Sequence, residues 1–177
     1  ASRLADIAGS RGLESRFFIW DGAADMVSSN PLRTVIGHGP EVMMEAYSPY
    51  TLPESLNRAD MSHDRAHNAL WQALVNRGIL GAVADYVFFS ALFYHALGWL
   101  GLLEGTRDRG LFLGLLGAGT LAGVLVPWLV LDRVALIGLG VPAGLLAGLG
   151  AYVVLQLFLK DRGNLPAPAM SLLVVAL

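Results

Sequence analysis

A histidine and an asparagine stand directly before a long apolar stretch of the chain. Residues 67–81 read HNALWQALVNRGILG, so His67 and Asn68 open a helical pattern that Gly78 and Gly81 close. A histidine side chain takes up or releases a proton near neutral pH, which makes His67 a candidate acid or base. We expect a helix from about Arg65, with His67 in its first turn where the chain leaves water. The candidate caps of this helix are Asp60, Ser62 and Asp64.

The spacing of these residues places them on one side of the expected helix. His67, Trp71, Gly78 and Gly81 share that side, which changes from polar to small along the helix. We therefore expect His67 to face neighbouring helices at the membrane surface, while Asn68 caps the helix or holds a neighbouring group. The plainer interpretation is a single interfacial histidine whose ring reaches back to water.

The composition indicates a membrane protein. Hydrophobic residues make up 55% of the 177 residues and charged residues 15%, against roughly 25% charged residues in soluble domains. Three long segments carry no charge, and about 20 apolar residues cross a bilayer as a helix. We therefore predict an all-α fold, a polytopic transmembrane helix bundle with a membrane region over 78–177. The expected helices are about 65–103, 110–131 and 134–159, with a truncated span from about 168.

The charged residues of the connections predict the orientation. The connections 104–110 and 160–167 hold four basic residues, and the turn between the last two long spans holds only Arg133. Because cytoplasmic loops are rich in Lys and Arg, the first two connections are expected in the cytoplasm. Residues 1–77 then form a large extracytoplasmic loop, with an amphipathic interfacial helix over about 13–28 that precedes Asn30 and Pro31.

Several classes of protein are disfavoured. The net charge of −2 gives no indication of nucleic-acid binding. The absence of cysteine excludes disulfides and thiolate metal sites within the chain.

Glycines recur four residues apart, a spacing that lets helix backbones approach closely in lipid. These are Gly110 and Gly114, Gly119 and Gly123, and Gly140, Gly144 and Gly148.

Two motifs occur together in residues 13–100. The first is His67-Asn68, nine residues, then Gly78-x-x-Gly81; the second, upstream, is Arg16-x-x-x-Trp20, followed by Pro31 and Gly37-x-Gly39. In order and separation this combination resembles the O-antigen ligase and O-antigen polymerase superfamily of bacterial membrane glycosyltransferases. Beyond residue 100 the resemblance rests on hydropathy.

The resemblance implies glycan transfer from a polyprenyl pyrophosphate carrier to a sugar hydroxyl, in the bacterial inner membrane and without a metal or other cofactor. His67 would act as the base and Arg16 would bind the pyrophosphate. The implied partners are the lipid-linked glycan, the bilayer and other membrane subunits. The implied substrate-binding residues are Asn68, Trp20, Arg65, Gly37 and Gly39, and the implied helix-packing residues are Gly78 and Gly81.

Two other functions fit parts of the pattern. Residues 63–67 read HDRAH and resemble the metalloprotease pattern His-Glu-x-x-His, with His38, Asp85 or His95 as a third zinc ligand. The chain also fits a non-catalytic structural subunit of a membrane assembly, because no residue matches a second arginine of the resembled family. Both ends of the sequence look cut from a longer protein.

Overall fold

The computed structural model of the protein describes residues 11–50 and 65–159, and every regular element in these ranges is helical. Two 3₁₀ turns (Ser48–Tyr50 and Val134–Leu136) and one π-helical turn (Val126–Val130) connect the α-helices. The α-helices are α1 (Arg11–Ser28), α2 (Pro31–Ile36), α3 (Met43–Ala46), α4 (Ala69–Trp99), α5 (Thr106–Leu125) and α6 (Ile137–Leu159).

Within residues 11–50 and 65–159, three helices are long and apolar enough to cross a membrane. They cover Ala69–Trp99 with 31 residues, Thr106–Val130 with 25 and Val134–Phe158 with 25. The three complete spans that the sequence predicts are therefore confirmed as helices of membrane-spanning length and composition. The fourth expected span, from about residue 168, lies outside the described residues.

Helix α4 begins and ends inside its predicted limits of 65 and 103. It begins at Ala69, because the Asn68 side chain caps it. It ends at Trp99, where Gly101 adopts a φ of +68°. The Gly101 N–H donates to the Gly98 carbonyl (3.0 Å) and the Leu102 N–H to the Leu97 carbonyl (2.9 Å). This pair of hydrogen bonds is a Schellman motif, which ends helices by satisfying their last carbonyls.

One compact unit comprises Ala1–Ala84 together with Val126–Leu139. Its core holds buried side chains of α1, among them Trp20 and Met26, packed with Met43, Trp71 and Ala135. The apolar face of α1 therefore covers protein, whereas the sequence predicted a helix lying on the membrane by that face. The cause is long-range packing, which the helical periodicity of α1 does not reveal.

Tyr47 fastens the α3 segment to α1 in this unit. Its hydroxyl donates to the carbonyls of Phe18 (3.3 Å) and Ile19 (3.2 Å) and lies over the Cα of Gly22. Burial, reinforced by the negative charges of Asp21 and Asp25, raises the pKa of Tyr47 to about 12. The phenol therefore keeps its proton, and its role as a donor, throughout the physiological pH range.

The second compact unit comprises Asp85–Leu125 together with Gly140–Leu177. Phe112 of α5 and Tyr152 of α6 meet edge to face in its core, with ring centroids 5.4 Å apart. The Tyr152 hydroxyl donates to the Leu102 carbonyl (2.7 Å), and the buried Gln156 amide donates to Asp108 Oδ1 (3.1 Å). These bonds satisfy polar groups that would otherwise lie unpaired among apolar helices.

Glycines bring the backbones of α5 and α6 together. A Cβ added at Gly119 would overlap the Gly144 carbonyl, and one at Gly123 would overlap the Gly140 carbonyl. The predicted small-residue packing is thus confirmed for these glycines. Gly110 and Gly114 differ, because a Cβ there would meet no atom of the described residues within 4 Å.

We predict that Gly119→Ala destabilises the protein and that Gly114→Ala does not. The added methyl at residue 119 has to displace backbone, an overpacking that costs about 1–3 kcal/mol. The matched change at residue 114 enters open space. Reversible unfolding of both variants in detergent, followed by circular dichroism, measures the difference. Equal midpoints for the two variants would contradict the close helix contact.

Candidate functional site

Helix α4 is interrupted at Gly78, the first glycine of the His-Asn…Gly-x-x-Gly motif. Gly78 has a φ of +64° and a ψ of −166°, which divides α4 into Ala69–Arg77 and a longer part from Ile79 onward. In an unbroken helix each carbonyl accepts a hydrogen bond from the N–H group four residues later. The break therefore leaves the last carbonyls of the first part without these donors. In this chain Val75 and Asn76 would normally accept from Ile79 and Leu80.

The Gly37-His38-Gly39 segment supplies the missing donors. The His38 N–H donates to the Val75 carbonyl (2.7 Å), and the Gly39 N–H donates to the Asn76 carbonyl (3.0 Å). The backbones come so close that a Cβ at Gly37 would overlap Asn76 and Arg77. The Gly-x-Gly motif is therefore joined directly to the break.

The two glycines of the α4 motif have different close neighbours. The sequence predicted that Gly78 and Gly81 let another helix pack closely. A Cβ at Gly78 would overlap the Val35 carbonyl, so its close neighbour is the end of the short helix α2. A Cβ at Gly81 would overlap the Cβ of Arg77, because the break folds that residue back on the following turn. The glycines thus permit the break and its loop contact.

Two hydrogen bonds hold the residue that precedes His67. The Trp20 Nε1–H donates to the Ala66 carbonyl (2.8 Å), and the Ala66 N–H donates to Gln72 Oε1 (2.8 Å). Trp20 is 3% exposed and Ala66 is fully buried. The Arg-x-x-x-Trp motif on α1 and the His-Asn motif before α4 therefore meet through this backbone group.

Asn68 fixes the residue that follows His67. Its Oδ1 accepts from the N–H groups of Leu70 (3.0 Å) and Trp71 (3.2 Å), which is the geometry of a helix cap. The capping role is one of the two that the sequence predicted for Asn68. Trp20 and Asn68 both form hydrogen bonds with backbone groups of this chain, and both thereby position the backbone on either side of His67. Gln72, which accepts from the Ala66 N–H, was not predicted as a site residue, because helical periodicity does not reveal this contact.

His67 lies before the helix, not in its first turn. Its φ is +49°, a left-handed conformation that no helical residue adopts, and its side chain is exposed. The sequence prediction of a helical His67 facing neighbouring helices is therefore wrong. The physical reason is that Asn68, with its capping oxygen, starts the helix one residue later than His67. The ring is left outside the helix, between two fixed neighbours.

Two candidate cations lie on the same part of the unit. Arg16 is exposed on α1, one helical turn before Trp20, where side chains four residues apart are neighbours. Arg65 is exposed and directly precedes Ala66. The Trp20–Ala66 contact thus links the segments that carry Arg16, Arg65 and His67. All three of these side chains are exposed.

His38 is a residue whose role the sequence did not resolve. Its Nδ1 is buried and has no hydrogen-bond partner among residues 11–50 and 65–159. Burial lowers the pKa of His38, and the charge of Arg33 lowers it further, against the opposing effect of the Val75 carbonyl. His38 is thus favoured in its neutral form beside the break.

An open depression of about 540 Å³ lies between α1 and the turn before α6. Burial and the charge of Asp25 raise the pKa of Asp21 within it, while Arg133 opposes the shift. The sequence assigned these acidic residues no site. The depression is lined by Asp21, Ala24, Asp25, Ser28, Asp132, Arg133 and Val134.

The zinc-site hypothesis finds no support in the described part of the chain. No group of three His, Asp or Glu side chains there is arranged to hold a metal ion. His63 and Asp64 of the HDRAH segment lie outside the described residues. Because His67 precedes the helix, it lacks the helical conformation that the His-x-x-x-His spacing requires.

No protein-family model, curated protein or solved structure matches the chain.

We predict that Gly78→Ala disrupts this site severely. Alanine is strained at a φ of +64°, and its methyl would overlap the Val35 carbonyl. We expect a loss of stability of more than about 2 kcal/mol, since strain and overpacking add. The matched control is Gly98→Ala, because a Cβ at Gly98 meets no described atom within 4 Å. Unfolding midpoints in detergent test this, and similar midpoints for both variants would refute the close contact.

Proposed function

We propose that this protein is an O-antigen ligase-like membrane glycosyltransferase. It would transfer a glycan from a polyprenyl pyrophosphate carrier to a hydroxyl acceptor. The proposal rests on the motif resemblance, and the observation that carries it is the Trp20–Ala66 hydrogen bond. That bond joins the two halves of the motif, which are 46 residues apart in sequence.

The proposed base is His67. In the transfer, the acceptor oxygen bonds to the anomeric carbon while the bond from that carbon to the pyrophosphate oxygen breaks. The electron pair leaves with the pyrophosphate, and the acceptor proton passes to His67. The exposed ring suits this role because a substrate can reach it. Ala66 and Asn68 fix the backbone on both sides, which reduces the entropy lost when the ring is aligned.

The proposed pyrophosphate ligands are Arg16 and Arg65. A guanidinium binds phosphate oxygens through two parallel hydrogen bonds and stays charged at every physiological pH. Both side chains are exposed, so they are accessible to a leaving group that gains negative charge. Two such cations provide a metal-free way to stabilise that charge.

The proposed location is the bacterial inner membrane, with residues 1–77 on the extracytoplasmic side. The turn at Asp132-Arg133 belongs to the same compact unit as α1 to α3. The Trp71 Nε1–H also donates to the Ala135 carbonyl (2.9 Å), which ties the start of α4 to that turn. This contact supports one common side for the N-terminal segment and the turn that is poor in basic residues.

The orientation predicts the labelling of two single-cysteine variants. Ser48→Cys should react with a membrane-impermeant thiol reagent in intact bacterial cells, whereas Thr106→Cys should react only after the membrane is opened. Both residues are exposed, so accessibility within the protein does not bias the comparison. The reverse pattern would place the proposed site on the cytoplasmic side and refute the location.

Removing the proposed base predicts a large loss of transfer. His67→Asn keeps a residue that tolerates positive φ but removes the basic ring, and general-base loss costs about 10²–10⁴ in rate. His95→Asn is the control, because His95 is also exposed but lies on α4 far along the sequence from the motif. The assay follows release of polyprenyl pyrophosphate by the native protein in proteoliposomes containing EDTA. Full activity of well-inserted His67→Asn would refute the catalytic role.

A further inference from the structure

Helix α2 exposes its apolar side chains and turns a polar one inward. Leu32 is 63% exposed, Val35 43% and Ile36 47%. The Thr34 hydroxyl instead lies toward the protein, near the carbonyls of Val27 (2.6 Å) and Asn30 (3.0 Å). In water, a helix of a soluble protein has the opposite arrangement. The environment of α2 is therefore expected to be apolar.

The position of α2 is set by the break in α4. The Val35 carbonyl lies against the Cα of Gly78, and Gly37 lies against Asn76 and Arg77. Directly after the break, Ile79 is 46% exposed and Leu80 60%. The apolar side chains of α2 thus lie beside the point where α4 enters its membrane-spanning part, and both sets belong to the same compact unit.

We propose that Leu32, Val35 and Ile36 form a lipid-contacting wedge, continuous with Ile79 and Leu80 of α4. The occupant of this surface is the bilayer itself, because the surface continues the apolar exterior of a helix long enough to span it. Interfacial helices bury their apolar face about 5–10 Å into the boundary between headgroups and acyl chains.

Two basic residues lie next to the glycine contact in sequence. Arg33 and Arg77 are exposed, and an Arg33 guanidinium N–H donates to the Gly37 carbonyl (3.3 Å). Basic residues near a membrane surface are attracted to anionic lipid headgroups, which agrees with this placement. The inference does not depend on the proposed glycan transfer, since it concerns only the surface of α2 and the start of α4.

The absence of cysteine from the chain makes a site-specific test direct. The variants Leu32→Cys and Ile36→Cys are each labelled with the environment-sensitive fluorophore NBD. Leu80→Cys is the membrane reference, and Ser28→Cys, exposed at the end of α1, is the aqueous control. Each labelled full-length variant is reconstituted in vesicles of phosphatidylcholine and phosphatidylglycerol. A nitroxide near the top of a lipid acyl chain quenches from the bilayer, and iodide quenches from water.

We expect the probes at residues 32 and 36 to behave like the probe at residue 80. The lipid nitroxide should quench them strongly and iodide weakly, with a depth of about 5–10 Å below the headgroup boundary. The probe at residue 28 should show the reverse. Iodide quenching at 32 and 36 equal to that at 28 would overturn the wedge by placing it in water. Protection from both quenchers would also overturn it, because protein would then cover the surface.

Discussion

Helix α4 breaks at Gly78, and the break leaves two backbone carbonyls without their usual helical partners. At the entrance to a bilayer, water is scarce and an unpaired carbonyl costs several kcal/mol. The chain satisfies Val75 and Asn76 with the N–H groups of His38 and Gly39. These hydrogen bonds bring the two backbones into direct contact, which leaves no space for a Cβ at residue 37 or 78. Both residues therefore have to be glycine.

The neighbouring elements follow from this contact. Since residues 37–39 are hydrogen-bonded to α4, the short helix α2 that precedes them is held beside the start of the spanning part. Asn30 caps α2 and Pro31 occupies its first turn, so its start is defined locally. The position of α2 beside the break therefore leaves its apolar side chains exposed. An apolar environment such as lipid makes this arrangement favourable.

The environment of His67 is controlled through the backbone of its neighbours. Trp20 and Gln72 form hydrogen bonds with the backbone of Ala66, and the Asn68 side-chain oxygen accepts the hydrogen bonds of the helix cap. Between these two held neighbours the backbone of His67 is positioned, and its side chain is exposed. For a proposed base, a positioned backbone and an exposed ring are useful, because a substrate could then reach the ring.

The local pattern of the sequence determined the elements, and tertiary structure decided the site. Composition alone predicted the three long helices, because about 20 apolar residues in a row satisfy their backbone only as a helix in lipid. The capping of α4 by Asn68 was also predictable, since it acts over three residues. The positioning of Ala66 and the break at Gly78 were not predictable. Each depends on a partner at least six residues away in sequence, which helical periodicity does not record. The exposure of the apolar side chains was also not predictable. Helices α1 and α2 both carry apolar residues, but tertiary packing buries those of α1 against protein and leaves those of α2 exposed.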